Sequence, residues 1–122
     1  MSAGSHLVFV VDDDLAVRES LKFTLELEGI KVHACAGGAD LLDHPHLMGA
    51  DCLVLDYQMP DMDGFEVMRA LKARDCRVPV ILVTDNASVS VRQRAAVAGV
   101  RHVVEKPLLD NLLIESITEV LN

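Results

Sequence analysis

Apolar residues along the chain fall into five short runs, separated by segments in which they recur every three or four positions. Leu7-Val8-Phe9-Val10-Val11 is the first run, rich in β-branched and aromatic side chains, and it closes on Asp12-Asp13-Asp14. An apolar run without polar alternation predicts a strand buried on both faces. The segment Ile30 to Ala36 alternates weakly, which predicts a second strand near the sheet edge. A third strand is expected from Cys52 to Leu55, ending abruptly in Asp56; a fourth is Val80-Ile81-Leu82-Val83, after Pro79 and before Thr84-Asp85-Asn86. Val100 to Val104 gives a fifth, broken by Glu105-Lys106-Pro107.

The intervening segments read as helices. Val17, Leu21 and Leu25 share one face of a helix from Leu15 to Glu28, with Asp14 as its N-cap and Gly29 as its stop. Gly37 and Gly38 open a second helix that Pro45 interrupts. Phe65, Met68 and Leu71 mark the third. Ser88 caps a fourth that runs through Ala98 to Gly99, and its stripe of Val91, Ala95 and Ala98 is small, so this helix is expected to be weakly held. Leu113, Ile117, Val120 and Leu121 form the apolar side of a last helix beginning near Asp110. Strands alternating with helices predict an α/β fold, a five-stranded, parallel, doubly wound sheet with five helices. Ligands of such sheets bind at the carboxyl ends of the strands. The polar residues predicted there are Asp12, Asp13 and Asp14, then Asp56, Thr84 and Lys106.

Composition narrows the class. At 122 residues and 51% hydrophobic content the chain is expected to be one domain, spanning residues 1–122, with a real core. No apolar run approaches the roughly 18 to 20 residues that cross a bilayer, and the N-terminus lacks the order of a signal peptide, so a cytoplasmic protein with no membrane partner is expected. A net charge of -8 argues against nucleic-acid binding by this domain. Cys35, Cys52 and Cys76 are odd in number and far apart, and read as packing residues rather than a disulfide framework or zinc site.

The stretch from Leu53 to Gly64 carries the chemistry. Asp56 stands at a strand mouth, Pro60 fixes one backbone angle of the following loop, and Gly64 permits a left-handed one. If Asp12, Asp13 and Asp56 lie within about 5 Å, each ionised pair costs roughly 3 kcal/mol at an effective dielectric of 20. Lys106 offers one compensating charge, and a hard divalent cation holding one or two carboxylates and several waters, which describes Mg²⁺, offers more. Carboxylate, metal, lysine and hydroxyl together suit phosphoryl transfer to an aspartate.

In that order the motifs resemble the receiver domains of two-component response regulators, both single-domain forms and those at the N-terminus of nitrogen-fixation-type transcription factors. Val10-Val11-Asp12-Asp13-Asp14 is similar to the acidic opening, Leu55 to Gly64 to the phosphoacceptor motif, Val83-Thr84 to the switch hydroxyl, and Glu105-Lys106-Pro107 to the lysine-proline signature. The resemblance implies a flavodoxin-like receiver fold with strand order 2-1-3-4-5. It implies Asp56 as phosphoacceptor, with Asp13 ligating Mg²⁺ directly, Asp12 acting mostly through water and the Gln58 carbonyl a third ligand. Thr84 and Lys106 would bind the phosphoryl group, and the Lys106-Pro107 peptide would be cis. The donor would be a phosphohistidine on a sensor histidine kinase, and the domain a signalling phosphoacceptor rather than a metabolic enzyme, with transcription one output.

Two positions depart from the family. Val103 replaces the Tyr or Phe expected three residues before the lysine, so the resemblance supplies no aromatic rotamer to couple with Thr84; Asp85 replaces a small residue after the threonine. His102 alternates to the opposite face of the strand from Val103. Asp61 and Asp63 read as turn and cap residues, His44-Pro45-His46 as too few imidazoles for a metal site, and His6, His33 and His102 as surface or edge residues. Arg92, Arg94 and Arg101 against Asp110, Glu115 and Glu119 form either a solvated charged face or the family's homodimer surface of helix four, strand five and helix five. Ending at Asn122 without a linker or DNA-reading helix, the chain fits a single-domain regulator or the receiver of a longer factor. Two rivals are a receiver that binds partners without phosphorylation, and a haloacid-dehalogenase-type phosphatase with Asp12 as nucleophile and Asp14 as acid, which leaves Asp56 without a role.

Overall fold

The computed structural model describes residues 6–108 and 111–122. Chain order alternates strand and helix throughout: β1 Leu7–Val11, α1 Leu15–Leu27, β2 Lys31–Cys35, α2 Gly38–Leu42, a 3-10 turn at Leu47–Gly49, β3 Cys52–Asp56, α3 Gly64–Ala73, β4 Val80–Thr84, α4 Val89–Ala98, β5 His102–Glu105 and α5 Leu112–Leu121. All strand pairs are parallel and the sheet order is β2-β1-β3-β4-β5. The predicted α/β, five-stranded doubly wound architecture is the one observed, with β2 at the edge. The last helix starts at Leu112; the expected start near Asp110 lies outside the described residues.

Alternation along each strand divides the core in two. Phe9, Leu53, Leu55 and Leu82 face α2, α3 and α4, where they meet Leu41, Phe65, Val67 and Leu71. Val8, Val10, Val54, Ile81 and Val83 face α1 and α5, against Leu25, Leu113 and Ile117. Every side chain of β3 and β4 is buried, as their uninterrupted apolar runs require. The helices are held unequally. Full burial of a Leu, Val or Phe side chain stabilises by about 1.5–3 kcal/mol; α3 buries Phe65, Val67 and Leu71, whereas α4 buries only Ala95. The helix expected to be weakly held therefore has the least apolar burial of the long helices flanking the sheet.

Termini follow the predicted chemistry. Asp14 caps α1 by accepting from the backbone amides of Ala16 and Val17, and Ser88 caps α4 by accepting from Val91 at 3.2 Å. Gly99 ends α4 in the left-handed region at φ 90°. Gly64 differs from expectation. It is the first residue of α3 and is not among the positive-φ glycines. Its lack of a side chain serves close approach instead: a Cβ would lie 2.8 Å from Leu82 Cδ1 and 3.2 Å from Tyr57 Cα. Gly64→Ala is therefore expected to destabilise the fold by about 1–3 kcal/mol through overpacking, read as a lower urea midpoint at unchanged slope.

His33 lies on the edge strand β2, as expected, and His44 and His46 lie beside it. Their rings gather beside Phe9, with centroids 4.7 Å apart for His33 and His44 and 5.6 Å for His33 and His46. Burial, then its two imidazole neighbours, holds the pKa of His33 below its ordinary value. The three cysteines are free, and burial pushes the Cys35 and Cys52 thiols up to about 11 and about 12.

Candidate functional site

Three strand ends converge on one acidic pocket. β1 delivers Asp12 and Asp13 immediately past Val11, and β3 delivers Asp56 as its last residue. One carboxylate oxygen from each of Asp12, Asp13 and Asp56 lies within 4.8 Å of the others. Asp12 is 3% exposed and Asp56 5% exposed, while Asp13 faces solvent. The spacing assumed from sequence thus holds, and two of the charges are also removed from water. That combination is costly without a counter-charge.

Lys106 supplies one. It follows β5, and its Nζ lies 3.4 Å from Asp56 Oδ1 and 3.6 Å from Asp12 Oδ2. The Lys106-Pro107 peptide is cis. Burial and the neighbouring Asp12 carboxylate nevertheless push the Asp56 pKa up to about 6, with Lys106 opposing the rise and Asp13 adding to it. Burial pulls the Lys106 pKa down, but the carboxylates of Asp56 and Asp12 more than reverse this, so it lies above its ordinary value and the ammonium stays charged at neutral pH. One lysine leaves the pocket net negative, and hard oxygen donors in such an arrangement fit a divalent cation of the Mg²⁺ type.

The acidic residues are anchored by backbone geometry. Asp12 Oδ1 accepts from the Asp14 amide at 2.9 Å, and the Asp12 carbonyl accepts from Arg18 Nη1 at 2.8 Å. Sequence reasoning missed Arg18; six residues past Asp12 and one turn into α1, it carries no motif signal. Asp14 serves as the N-cap of α1, as its position after β1 predicted. After Asp56, the Tyr57 amide donates to the Val83 carbonyl and the Gly64 amide to the Tyr57 carbonyl, each at 2.8 Å, closing the loop that holds Gln58. Asp61 fastens that loop to α2 by accepting from Ala39 at 3.0 Å, Gly38 at 3.3 Å and Met62 at 2.8 Å, and the backbone amides hold its pKa below the usual carboxylate range. Asp63 caps α3 in a reciprocal pair with Glu66. Both therefore have turn and cap roles here.

Thr84 ends β4, 2% exposed, one residue beyond Val83, which pairs with Asp56 across the sheet. Its Oγ1 accepts from the Asn86 amide at 3.3 Å and donates to the Asn86 carbonyl at 3.4 Å. Asp85 is exposed, lines a groove with Lys106 between α1 and α5, and helps raise the lysine's pKa. Gln58 is exposed in the loop after Asp56. Val103 is half-buried and packs on the core that faces α3 and α4, while His102 pairs with Glu119 of α5 on the other face.

Near Val103's core lies an aromatic pair that strand composition could not reveal. Tyr57 and Phe65 meet edge to face with centroids 5.1 Å apart. Arg94 of α4 places its guanidinium 4.2 Å from the Phe65 ring centroid and donates to Tyr57 Oη at 3.4 Å. Arg94 thus turns toward α3, away from the charged face to which its sequence neighbours assigned it. Asp110 of that face lies outside the described residues.

Comparison with known proteins agrees with this geometry. The family model described as the response regulator receiver domain matches residues 8–118. The chain is 38% identical over 113 residues to the C4-dicarboxylate transport transcriptional regulatory protein DctR of Rhodobacter capsulatus, covering 91% of this chain and 57% of that protein. It is 36% identical over 110 residues to the transcriptional regulatory protein FixJ of Azorhizobium caulinodans, covering 90% and 52%. It thus spans about half the length of the curated relatives it matches. Among solved structures, FixJ-N superposes with a TM-score of 0.85 at 33% identity, covering 99% of this chain and 95% of that one. The Vibrio cholerae chemotaxis protein CheY4 gives 0.88 at 25%, covering 95% and 98%. The chain belongs to the response regulator receiver domain family, the signalling modules of two-component systems.

Proposed function

We propose that residues 1–122 form a phosphoacceptor receiver in which Asp56 takes a phosphoryl group from a sensor histidine kinase. The observation that carries this reading is Asp56 itself, nearly inaccessible at the end of β3, with Lys106 Nζ 3.4 Å from its Oδ1 and two further carboxylates in reach. With a pKa of about 6 the carboxylate is mostly ionised at neutral pH and able to act as nucleophile. An Asp56 oxygen attacks phosphorus, the phosphorus–nitrogen bond of the donor phosphohistidine breaks, and its electron pair returns to the imidazole. The product is an acyl phosphate on Asp56. Lys106 and the Thr84 hydroxyl hold phosphoryl oxygens, Thr84 by giving up its contact with Asn86.

Asp12, Asp13, Asp56 and the Gln58 carbonyl would hold Mg²⁺, which when bound supplies positive charge to the transferring oxygens. The groove between α1 and α5 adjoining Lys106 is where a kinase module would reach the pocket. Phosphorylation acts by population shift; moving a 1:99 equilibrium to 99:1 takes about 5.5 kcal/mol of differential contact. Helix α4, burying only Ala95, is the element most easily displaced, and self-association through α4, β5 and α5 would follow from it. The domain signals rather than catalysing metabolism, and it works in the cytoplasm; among the described residues no helix is long and apolar enough to cross a membrane. Transcription is the output indicated by the relatives' names.

The test is intact mass after incubation with acetyl phosphate and Mg²⁺. One phosphoryl unit is expected, and none when EDTA is present. Phosphorylation that persists at full extent in EDTA would refute the metal assignment. No phosphorylation under either condition would favour the receiver that binds partners without it.

A further inference from the structure

We infer that the valley between α3 and α4 is a docking groove for an acidic amphipathic helix of a partner protein. Its upper part, of about 430 Å³, is lined by Phe65, Met68 and Val97 together with Arg69, Lys72 and Arg94. No carboxylate is among the lining residues, although the chain as a whole carries a net charge of -8. A second hollow of about 410 Å³ shares Met68, Lys72, Val97 and Ala98 with the first and extends it toward Cys76 and Val78. The one carboxylate there, Asp75, is already paired with Arg77 at 2.9 Å.

Apolar lining and charged rim together select the occupant. Helix-in-groove recognition seats apolar side chains at i, i+3, i+4 and i+7 between flanking helices. Helices α3 and α4 have 10 residues each, and such a length corresponds to about 15 Å, two to three turns of an occupant. Val97 is 90% exposed at the shared part of the groove, where an occupant would cover it. Acidic residues flanking the apolar stripe would meet Arg69, Lys72 and Arg94, and the charge complementarity would steer association and fix orientation. Nucleic acid is disfavoured by the net charge and by the apolar lining. The upper end of the groove is contiguous with the phosphorylation loop, because Arg94 reaches both Phe65 and Tyr57, the residue after Asp56. The inference does not depend on phosphorylation, since the groove is formed in the unmodified chain.

The probe is a helical peptide of about 14 residues with Leu at the four anchor positions and Glu on the flanks, compared with the same peptide carrying Lys for Glu. Titration of the whole chain is followed by amide chemical shifts. The Glu peptide is expected to perturb Phe65, Met68, Lys72 and Val97, and to bind about tenfold more tightly than the Lys peptide. The R69E/K72E double variant is expected to weaken it by about the same factor, with its dispersed spectrum reporting an intact fold. If that variant does not fold, R69Q/K72Q replaces it, with a loss of about threefold expected. Equal affinity for the two peptides, perturbations centred on α1 and α5, preference for a duplex oligonucleotide at the same residues, or no binding at millimolar peptide would each overturn the proposal.

Discussion

Asp56→Asn is expected to stabilise the metal-free protein at pH 7.5, by up to about 3 kcal/mol, even though it removes the proposed reactive group. The sign follows from linkage. Asp56 has a folded-state pKa of about 6, raised from the ordinary carboxylate value of 3.8 by burial and by Asp12. The folded protein therefore holds this proton more tightly than the unfolded chain does. Between about pH 4 and pH 6 the unfolded state binds fewer protons, so stability falls as pH rises through that window and stays lowered above it. An Asn side chain of the same shape has no charge to desolvate. The gain in urea unfolding free energy should be largest above pH 6 and shrink toward zero near pH 4. Added Mg²⁺ should narrow the difference, because it stabilises the wild-type fold by mass action and loses a ligand in the variant. An equal or greater gain at pH 4 would contradict the electrostatic cause.

Lys106→Met should do the opposite. Removing the ammonium leaves Asp12 and Asp56 buried and facing each other with Asp13 nearby, so the fold is expected to lose about 2–3 kcal/mol in EDTA at pH 7.5. Lys106 is itself about one-fifth exposed, which places the loss below that of a fully buried pair. The Asp56 pKa should rise further, because the lysine is what opposes the rise now. Combining the substitutions isolates the interaction: in the Asp56→Asn background, Lys106→Met should cost less than half as much. Equal costs in the two backgrounds would mean that the lysine is held by packing rather than by the carboxylates.

Much of this was legible in the chain because the informative residues sit at element ends. Uninterrupted apolar runs identify the buried strands, and in a doubly wound sheet the residue that closes each run is delivered to one rim. Asp12, Asp56 and Lys106 could therefore be brought together without coordinates, with Thr84 at the end of the adjacent strand. Caps were equally local: Asp14, Ser88 and Asp63 satisfy amides two or three residues away. What could not be read depends on contacts between distant segments. Gly64 looks like a turn glycine in sequence, and only the proximity of Leu82 shows that it is small for packing reasons. The imidazoles of His33 and His44 come from different segments and meet over Phe9. Arg94 belongs to a charged stretch by sequence, yet its place is set by Tyr57 and Phe65, which no spacing rule connects to α4.

That last contact bears on the missing aromatic at position 103. Val103 packs on the same core as Tyr57, and the only aromatic pair near the loop after Asp56 among the described residues is bound to α4 through Arg94. One guanidinium of α4 thus touches both the residue after Asp56 and the first turn of α3.

The central claim is that Asp56 accepts the phosphoryl group. It is tested most directly by borohydride trapping after acetyl phosphate treatment in Mg²⁺, because hydride reduces an acyl phosphate to the alcohol and converts the modified aspartate to homoserine. Peptide sequencing by mass spectrometry then locates it. The account predicts homoserine at position 56 and no conversion in Asp56→Asn; homoserine at position 12 or 13 in the wild-type chain would contradict it.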